Sequence, residues 1–376
     1  MLYNRLYRRF CGVDITVLIC SLALCGLSLY SLYMLSITNT AGRLTTGATK
    51  QTALIQAVSV LIGLLVFIVI VLIGQRVIKR LSPAAFILTL AFSALTLTPL
   101  GVTVDDDRAW LSVFGVSVQP SEMLKVGFIM AGAFILSSGR TKAARYLLFF
   151  LCAAAGAAVI FLQRDMGTLL IFALTALCML FCAGSSKRLW ALGILVSPAL
   201  LFFLWSFVLN SDQRTRIISS IDPSLDPFGA GYQQISAKNA IAGGGFTGRL
   251  FEQRGSYVYV ASAHNDFILS FIAQLMGTVG IFAVCLLLGF IIVRAAPRAD
   301  SGSYLYYIRS GVFMLYASQA VINTAMNLSL FPVIGITLPF VSAGGTAVIA
   351  AFTALGLISL SNKEETPDGA LINTIQ

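Results

Sequence analysis

The strongest constraint on this fold is a series of continuous apolar runs, each long enough to cross a lipid bilayer. The run from Val60 to Ile73 does not alternate apolar with polar residues, as a strand of a membrane β-barrel would. A bilayer-spanning helix needs about 20 such residues, because its backbone polar groups must all be satisfied internally. The runs predict ten transmembrane helices, with approximate spans 13–37, 53–74, 82–99, 121–137, 145–162, 167–184, 189–209, 266–293, 308–331 and 340–361.

Composition and charge placement favour an all-α polytopic membrane protein with one membrane domain, residues 1–361, and a polar tail, 362–376. Only 11% of the 376 residues are charged, against roughly 25% in soluble domains. The net charge of +10 is concentrated in alternate loops. This is the positive-inside pattern rather than the single basic face of a nucleic-acid-binding protein. We therefore expect both termini in the cytoplasm and no nucleic-acid partner.

A long polar segment, residues 210–265, separates the seventh and eighth predicted helices and is expected outside the cytoplasm. Its two Asp-Pro steps and its glycines predict turns rather than a strand or a helix. The segment ends at His264-Asn265-Asp266-Phe267, where the apolar sequence resumes. Asp266 is thereby placed at the rim of a hydrophobic helix, where ionised groups are costly and mark functional sites.

Asp266 is the strongest candidate for chemistry. Partial desolvation disfavours the ionised form of a carboxylate and so raises its pKa towards the range of a general base. The alternative is structural, because Asn265 and Asp266 are both residue types that cap a helix N-terminus.

Glu122 and Lys125 form a second candidate pair. They are three residues apart in the fourth predicted span and so share one helix face. Either charge alone would cost about 2.5–3.5 kcal/mol at the middle of the bilayer. Two interpretations remain open: an ion pair that locks helices together, or a pair lining a cavity in which Lys125 neutralises phosphate.

The remaining motifs have simpler interpretations. Residues 243–248 fit G-x-G-x-x-G, but no β-α-β unit surrounds them, so a dinucleotide site is excluded. Flexibility of this loop and a phosphate cradle beside Arg249 both remain open. Asp105 to Asp107 are interpreted as a solvated run, with a cation-binding patch as the alternative. Gly344 and Gly345 predict close helix packing.

Cysteine and histidine usage limits metal binding. Six of the seven cysteines lie within predicted spans, and they are interpreted as small buried apolar groups. His264 is the single histidine of the sequence, which excludes a site built from several histidines.

Taken together, these segments resemble the SEDS family of shape, elongation, division and sporulation proteins, of the RodA, FtsW and SpoVE type. The resemblance covers nearly the whole chain. The motifs that carry it are, in order, Gln119-Pro120-Ser121-Glu122 with Lys125, Asp165-Met166-Gly167-Thr168, Arg216 followed by Asp222-Pro223, Asp226-Pro227 and Gly229 to Gln233, then His264-Asn265-Asp266-Phe267, and Leu338 to Gly345.

The resemblance implies a peptidoglycan glycosyltransferase of the bacterial cytoplasmic membrane that polymerises lipid II and works with a monofunctional class B transpeptidase. It implies that Asp266 is the essential carboxylate, with no certain cofactor but a divalent cation as an option. The candidate substrate-binding residues are Glu122, Lys125, Arg216, Gln233, Lys238, Arg249, His264, Asn265 and Ser342.

The chain differs from the family pattern at three places near the proposed centre. Val260 to Ala263 and Gln274 to Met276 lack acidic residues of the pattern, and Arg164 stands where the pattern has proline. We therefore expect fewer acidic neighbours around Asp266. Two other functions remain open: a transporter or flippase of a lipid-linked precursor, suggested by the Glu122–Lys125 pair, and a catalytically silent scaffold for a transpeptidase, suggested by the missing carboxylates.

Overall fold

The computed structural model describes residues 13–40, 50–104, 107–113, 115–186, 211–229, 231–249, 257–298 and 300–360, with isolated positions between 187 and 210. Most of this chain is helical. The helices are α1 (Ile15–Thr40), α2 (Lys50–Ile73), α3 (Gln75–Ala94), α4 (Pro120–Leu136), α5 (Lys142–Leu162), α6 (Met166–Cys182), α7 (Ser211–Ile221), α8 (Tyr232–Gly244), α9 (Ile268–Ala295), α10 (Tyr304–Asn327) and α11 (Gly345–Ile358).

Nine of the ten predicted spans overlap helices, namely α1 to α6 and α9 to α11. Within the described residues, five helices are long and apolar enough to cross a membrane. The predicted span 189–209 and the predicted tail 362–376 lie outside the described residues, apart from isolated positions in the former.

Local sequence explains where several helices begin. Pro120 occupies the first turn of α4, where a missing N–H costs no hydrogen bond. Asp165 caps α6 by accepting a hydrogen bond of 2.8 Å from the backbone N–H of Thr168. Gly74 separates α2 from α3 with a φ of 82°, in the left-handed region that glycine adopts readily.

Three short strands between positions 101 and 118 form a small antiparallel sheet that the prediction of an all-α protein missed. Its strands are β1 (Gly101–Val104), β2 (Asp107–Val113) and β3 (Val116–Val118), with β2 in the centre. Leu111 of β2 is buried and pairs with a residue of each outer strand. The sheet owes its stability to cross-strand pairing rather than to any one strand. Of the acidic run, only Asp107 lies within the described residues.

The segment 210–265 contains regular helices, so the expectation of turns is wrong at the first Asp-Pro step, whereas Pro227 to Gly229 form a turn as expected. The first Asp-Pro step begins a short 3₁₀ helix, Pro223–Leu225, with Asp222 as its cap. Two α-helices flank it, α7 before and α8 after. Because proline fits the first turn of a helix as well as a turn, the Asp-Pro sequence did not separate the two outcomes.

The glycine-rich segment after α8 docks onto a break in α9. Gly277 interrupts α9 with a φ of 67°. Directly after this break, the N–H groups of Thr278 and Val279 donate to the carbonyls of Gly245 and Phe246, at 3.0 and 3.4 Å. A Cβ on Gly277 would lie 2.2 Å from the Phe246 carbonyl oxygen. This docking is the observed role of the glycines, rather than loop flexibility.

Helix α4 lies at the centre of the bundle. It packs against α3, α5, α10 and α11, and most of its residues are buried. Phe128 of α4 contacts Phe172 of α6, with ring centroids 4.5 Å apart. The close packing predicted at Gly344 and Gly345 is confirmed at Gly345, where a Cβ would lie 2.9 Å from Ser59 Oγ of α2.

Candidate active site

A cavity of about 530 Å³ opens among the sheet, the start of α6, α7 and the segment before α9. Elements distant in sequence line it together, including both ends of the polar segment 210–265. Its charged lining residues are Asp107, Arg164, Asp165, Arg216, Asp226 and Asp266. The cavity therefore combines carboxylates with guanidinium groups in one confined space.

Asp266 lines this cavity and is half-buried. Its backbone carbonyl accepts two hydrogen bonds of 2.9 Å, from the side-chain amides of Asn323 and Asn327. Both asparagines are fully buried in α10. Their amides fix the backbone immediately before α9, so the Asp266 side chain projects from a rigid position.

Ser342 holds the neighbouring backbone from the other side. Its hydroxyl accepts from the Leu338 N–H at 2.7 Å and donates to the Asn265 carbonyl at 2.8 Å. The Ala343 N–H donates to the His264 carbonyl at 2.9 Å. Two motifs predicted from separate parts of the chain are thus bonded to each other. Asn265 lines the large cavity, whereas Ser342 and His264 support it from outside its lining.

Gln56 is a residue of this region that the sequence analysis missed. It is buried in α2, donates to the Ser342 carbonyl at 3.1 Å and accepts from the Gly344 N–H at 3.2 Å. Ser28 of α1 donates to the Val341 carbonyl at 2.5 Å. The signal was a glutamine and a serine inside apolar spans, where polar side chains need partners.

Asp165 lies at the start of α6 with its carboxylate fully engaged. One oxygen accepts from the Thr168 N–H, and the other accepts from the Gln119 side chain at 2.9 Å. Burial raises the pKa of the Asp165 carboxyl above its ordinary value, and the hydrogen bonds from Thr168 oppose that shift. Asp165 therefore caps the N-terminus of α6.

Glu122 and Lys125 form an ion pair of 2.7 Å inside the bundle, with side chains only 7% and 2% exposed. Neither residue lines the large cavity. Glu122 instead contributes to a separate void of about 10 Å³, which Ser342 also lines. This placement fits a structural ion pair better than a pair that lines the large cavity.

The other candidate binding residues divide into two groups. Arg216 and Gln233 line the large cavity with Asp266. Lys238 is exposed on α8 outside the lining, and the Arg249 guanidinium donates to the Gly243 carbonyl at 2.6 Å, closing the end of α8. The structure therefore does not bring Lys238 or Arg249 to the cavity.

Acidic residues from elsewhere in the chain share the large cavity with Asp266. Asp107, Asp165 and Asp226 line the same cavity, although none of them is near Asp266 in sequence. Within the described residues, no three His, Cys, Asp or Glu side chains are grouped closely enough to hold a metal ion.

Comparison with known proteins identifies relatives along most of the chain. A family model described as cell cycle protein, of the FtsW, RodA and SpoVE type, matches residues 15–366. The peptidoglycan glycosyltransferase MrdB of Escherichia coli K12 is 30% identical over 308 residues, covering 79% of this chain and 81% of the relative. A probable peptidoglycan glycosyltransferase FtsW of Thiomicrospira cyclica is 33% identical over 287 residues, covering 73% and 72%.

Solved structures give the same result for the fold. A chain from a structure of a peptidoglycan synthase complex that coordinates polymerization and crosslinking is similar, with a TM-score of 0.76 and 26% identity. That match covers 95% of this chain and 99% of the other. The rod shape determining protein RodA of Thermus thermophilus matches with a TM-score of 0.68 and 23% identity, over 95% and 98% of the two chains.

Proposed function

Because the chain belongs to the FtsW, RodA and SpoVE family of cell cycle proteins, we propose that it is a peptidoglycan glycosyltransferase that polymerises lipid II. The observation that carries this proposal is the position of Asp266, which lines a cavity of about 530 Å³ together with Arg216. A carboxylate and a guanidinium facing one space suit the transfer of a sugar from a diphosphate.

The reaction requires a base and a stabilised leaving group. In our proposal, the Asp266 carboxylate takes the proton from a sugar hydroxyl, whose oxygen then attacks the anomeric carbon of a second lipid-linked sugar. A new glycosidic C–O bond forms as the bond from that carbon to the diphosphate oxygen breaks. Arg216 offsets the negative charge that accumulates on the departing undecaprenyl diphosphate. The proton on Asp266 is later released to water.

The asparagines of α10 support this role by fixing the backbone of the base. Two hydrogen bonds to the Asp266 carbonyl hold it against α10, and Ser342 holds the preceding residue. A general base must stay within hydrogen-bond reach of its proton, so positional precision contributes directly to rate. Gln233 and Asn265 line the same cavity and offer neutral hydrogen-bonding groups for the sugars.

The membrane arrangement is part of the same proposal. We propose ten spans within one domain, 1–361, both termini in the cytoplasm of a bacterium, and the segment 210–265 on the outer side of the cytoplasmic membrane. The alternating basic loops support this orientation. We also propose a monofunctional class B transpeptidase as partner, supported by the similarity to a chain of a synthase complex that joins polymerization to crosslinking.

The test is glycan synthesis by the purified chain in proteoliposomes, supplied with lipid II on the outer side. Wild type is expected to produce glycan strands, and Asp266→Ala is expected to produce none while still folding. Translocation of lipid II without polymerisation would indicate a flippase instead. Capture of a transpeptidase by a wild type that makes no glycan would indicate a scaffold.

A further inference from the structure

Arg164 is a second cationic residue of the cavity, and the reaction described above gives it no task. It lies in the connection between α5 and α6 and lines the cavity together with Arg216 and Asp266. Its φ is 64°, in the left-handed region that residues with a Cβ rarely occupy. Proline, which the family pattern has here, is restricted to a φ near −65° and could not adopt this turn.

The residues on either side of Arg164 are anchored in the protein interior. Gln163 is fully buried, and its amide donates to the Ser93 carbonyl at 2.9 Å. Asp165 is also buried, with its carboxylate bonded to the Thr168 N–H at 2.8 Å. The chain is therefore fixed immediately before and after Arg164, which itself lines the cavity.

The backbone of Arg164 is held as firmly as its neighbours. Its N–H donates to the Phe161 carbonyl, and its own carbonyl accepts from the Met166 N–H, both at 3.0 Å. These bonds close a tight turn around the left-handed residue. A strained backbone conformation that the surrounding structure maintains is more common at functional sites than elsewhere.

The two cavity arginines have in common that their guanidinium groups are available to a ligand. Among the described residues, neither the Arg164 nor the Arg216 guanidinium has a hydrogen bond or an ion pair with the protein. By contrast, Arg108 on the neighbouring strand β2 donates to the Thr98 carbonyl at 2.9 Å. Guanidinium groups match the paired oxygens of phosphate and bind them in a bidentate manner. Two such groups around one cavity suit an anion with two phosphate groups.

We propose that Arg164 is a second diphosphate-binding residue, which acts with Arg216 on the diphosphate of the lipid-linked substrate. This inference rests on the proposed function for the identity of the substrate. Arg164 contacts the diphosphate in the bound substrate and continues to do so as the anomeric C–O bond breaks. Because the family pattern has proline at this position, Arg164 adds an interaction with the diphosphate that the pattern lacks.

Direct binding of inorganic pyrophosphate tests the inference without any need for turnover. The full-length protein is purified in detergent and titrated with pyrophosphate by calorimetry. Arg164→Gly and Arg164→Gln are expected to weaken binding by on the order of 10- to 100-fold, the loss expected for a charge-assisted hydrogen bond. Arg164→Lys should lose less, because it keeps the charge without the bidentate geometry.

Two variants separate loss of binding from loss of folding. Glycine adopts a φ of 64° without strain, so Arg164→Gly removes the side chain while favouring the observed turn. Arg108→Gln is the matched control, since this arginine is close in space but does not line the cavity. Its affinity for pyrophosphate should equal that of wild type.

Kinetic measurements on the same variants separate this inference from the proposed function. If wild type makes glycan, Arg164→Gly should raise both the KM for lipid II and the inhibition constant of pyrophosphate by a similar factor. Wild-type values in Arg164→Gly would overturn the inference and leave the glycosyltransferase intact. Arg164-dependent binding of pyrophosphate by a wild type that makes no glycan would support the anion site and overturn the proposed function. A wild type that binds no pyrophosphate would overturn the inference.

Discussion

The side-chain amide of Asn327 donates a hydrogen bond of 2.9 Å to the backbone carbonyl of Asp266. The Oδ1 atom of Asn327 accepts in turn from the N–H and the hydroxyl of Ser270, at 3.0 and 2.7 Å. One buried residue of α10 therefore bonds to the chain just before α9 and to the first turn of that helix. The position of the proposed base depends on this residue.

Replacing Asn327 with leucine, which has nearly the same shape, should harm both stability and turnover. The Ser270 donors would lose their acceptor, and each buried polar group left without a partner costs about 1–3 kcal/mol. We expect a lower free energy of unfolding, and a fall in kcat with little change in KM, because Asp266 moves while the cavity remains. Denaturation in detergent and steady-state glycan synthesis measure the two effects. Asn239→Leu on the exposed face of α8 is the control, and equal effects from both variants would remove the positioning role.

The Glu122–Lys125 pair should behave as a buried ion pair. Lys125→Met leaves the Glu122 carboxylate without its partner, which typically costs about 3–5 kcal/mol in free energy of unfolding. The double variant Glu122→Leu, Lys125→Met should recover most of that loss, because no buried charge remains. The single variant Glu122→Leu completes the comparison. If the double variant loses as much free energy of unfolding as the two single variants together, this account is contradicted. A stable double variant without glycan synthesis would favour the alternative in which the pair serves the substrate.

The raised pKa of Asp165 predicts a specific dependence of stability on pH. Its carboxyl binds a proton more tightly when folded than its ordinary value of 3.8 implies. It therefore favours folding at acidic pH, and that contribution disappears as the pH rises through the raised folded pKa. Asp165→Asn keeps a neutral cap for α6, and Gln119 can reverse its amide to pair with it. The free energy of unfolding of Asp165→Asn relative to wild type should increase as the pH rises from the ordinary pKa of 3.8 through the raised folded pKa. If the free energy of unfolding of Asp165→Asn relative to wild type stays constant or falls as the pH rises, the raised pKa of Asp165 is contradicted.

The break in α9 offers a test of the docked glycine-rich segment. Gly277→Ala places a methyl group against the Phe246 carbonyl and forces a left-handed alanine, which alone costs about 1–2 kcal/mol. We expect the segment around Gly245 to undock, with faster hydrogen exchange at Thr278 and Val279. Gly289→Ala is the matched control in the same helix, because a Cβ there meets nothing within 4 Å. Equal exchange rates in the two variants would show that the docking does not depend on Gly277.

The sequence was informative where one residue property decided the structure. Apolar runs predicted the helices because the bilayer sets their length, and close packing was predicted at Gly345 because glycine has no side chain. The sheet at 101–118 was missed because its strands are short and gain stability from each other. The positions of Asp107 and Asp226 in the cavity were also missed, since only tertiary folding brings them to the cavity that Asp266 lines. Gln56 was overlooked because a polar residue in a span shows that a partner exists but not which one.

The most direct test of the central claim is single-turnover glycan formation by Asp266→Asn, with lipid II binding measured on the same sample. Asparagine preserves the size of the side chain but cannot accept the sugar proton as a base. The account predicts unchanged affinity for lipid II and a rate lower by on the order of 10²- to 10⁴-fold, the usual contribution of a general base. Asp300→Asn, which alters an exposed carboxylate outside the cavity lining, should match wild type. A rate for Asp266→Asn within a few-fold of wild type would contradict the assignment of Asp266 as the base.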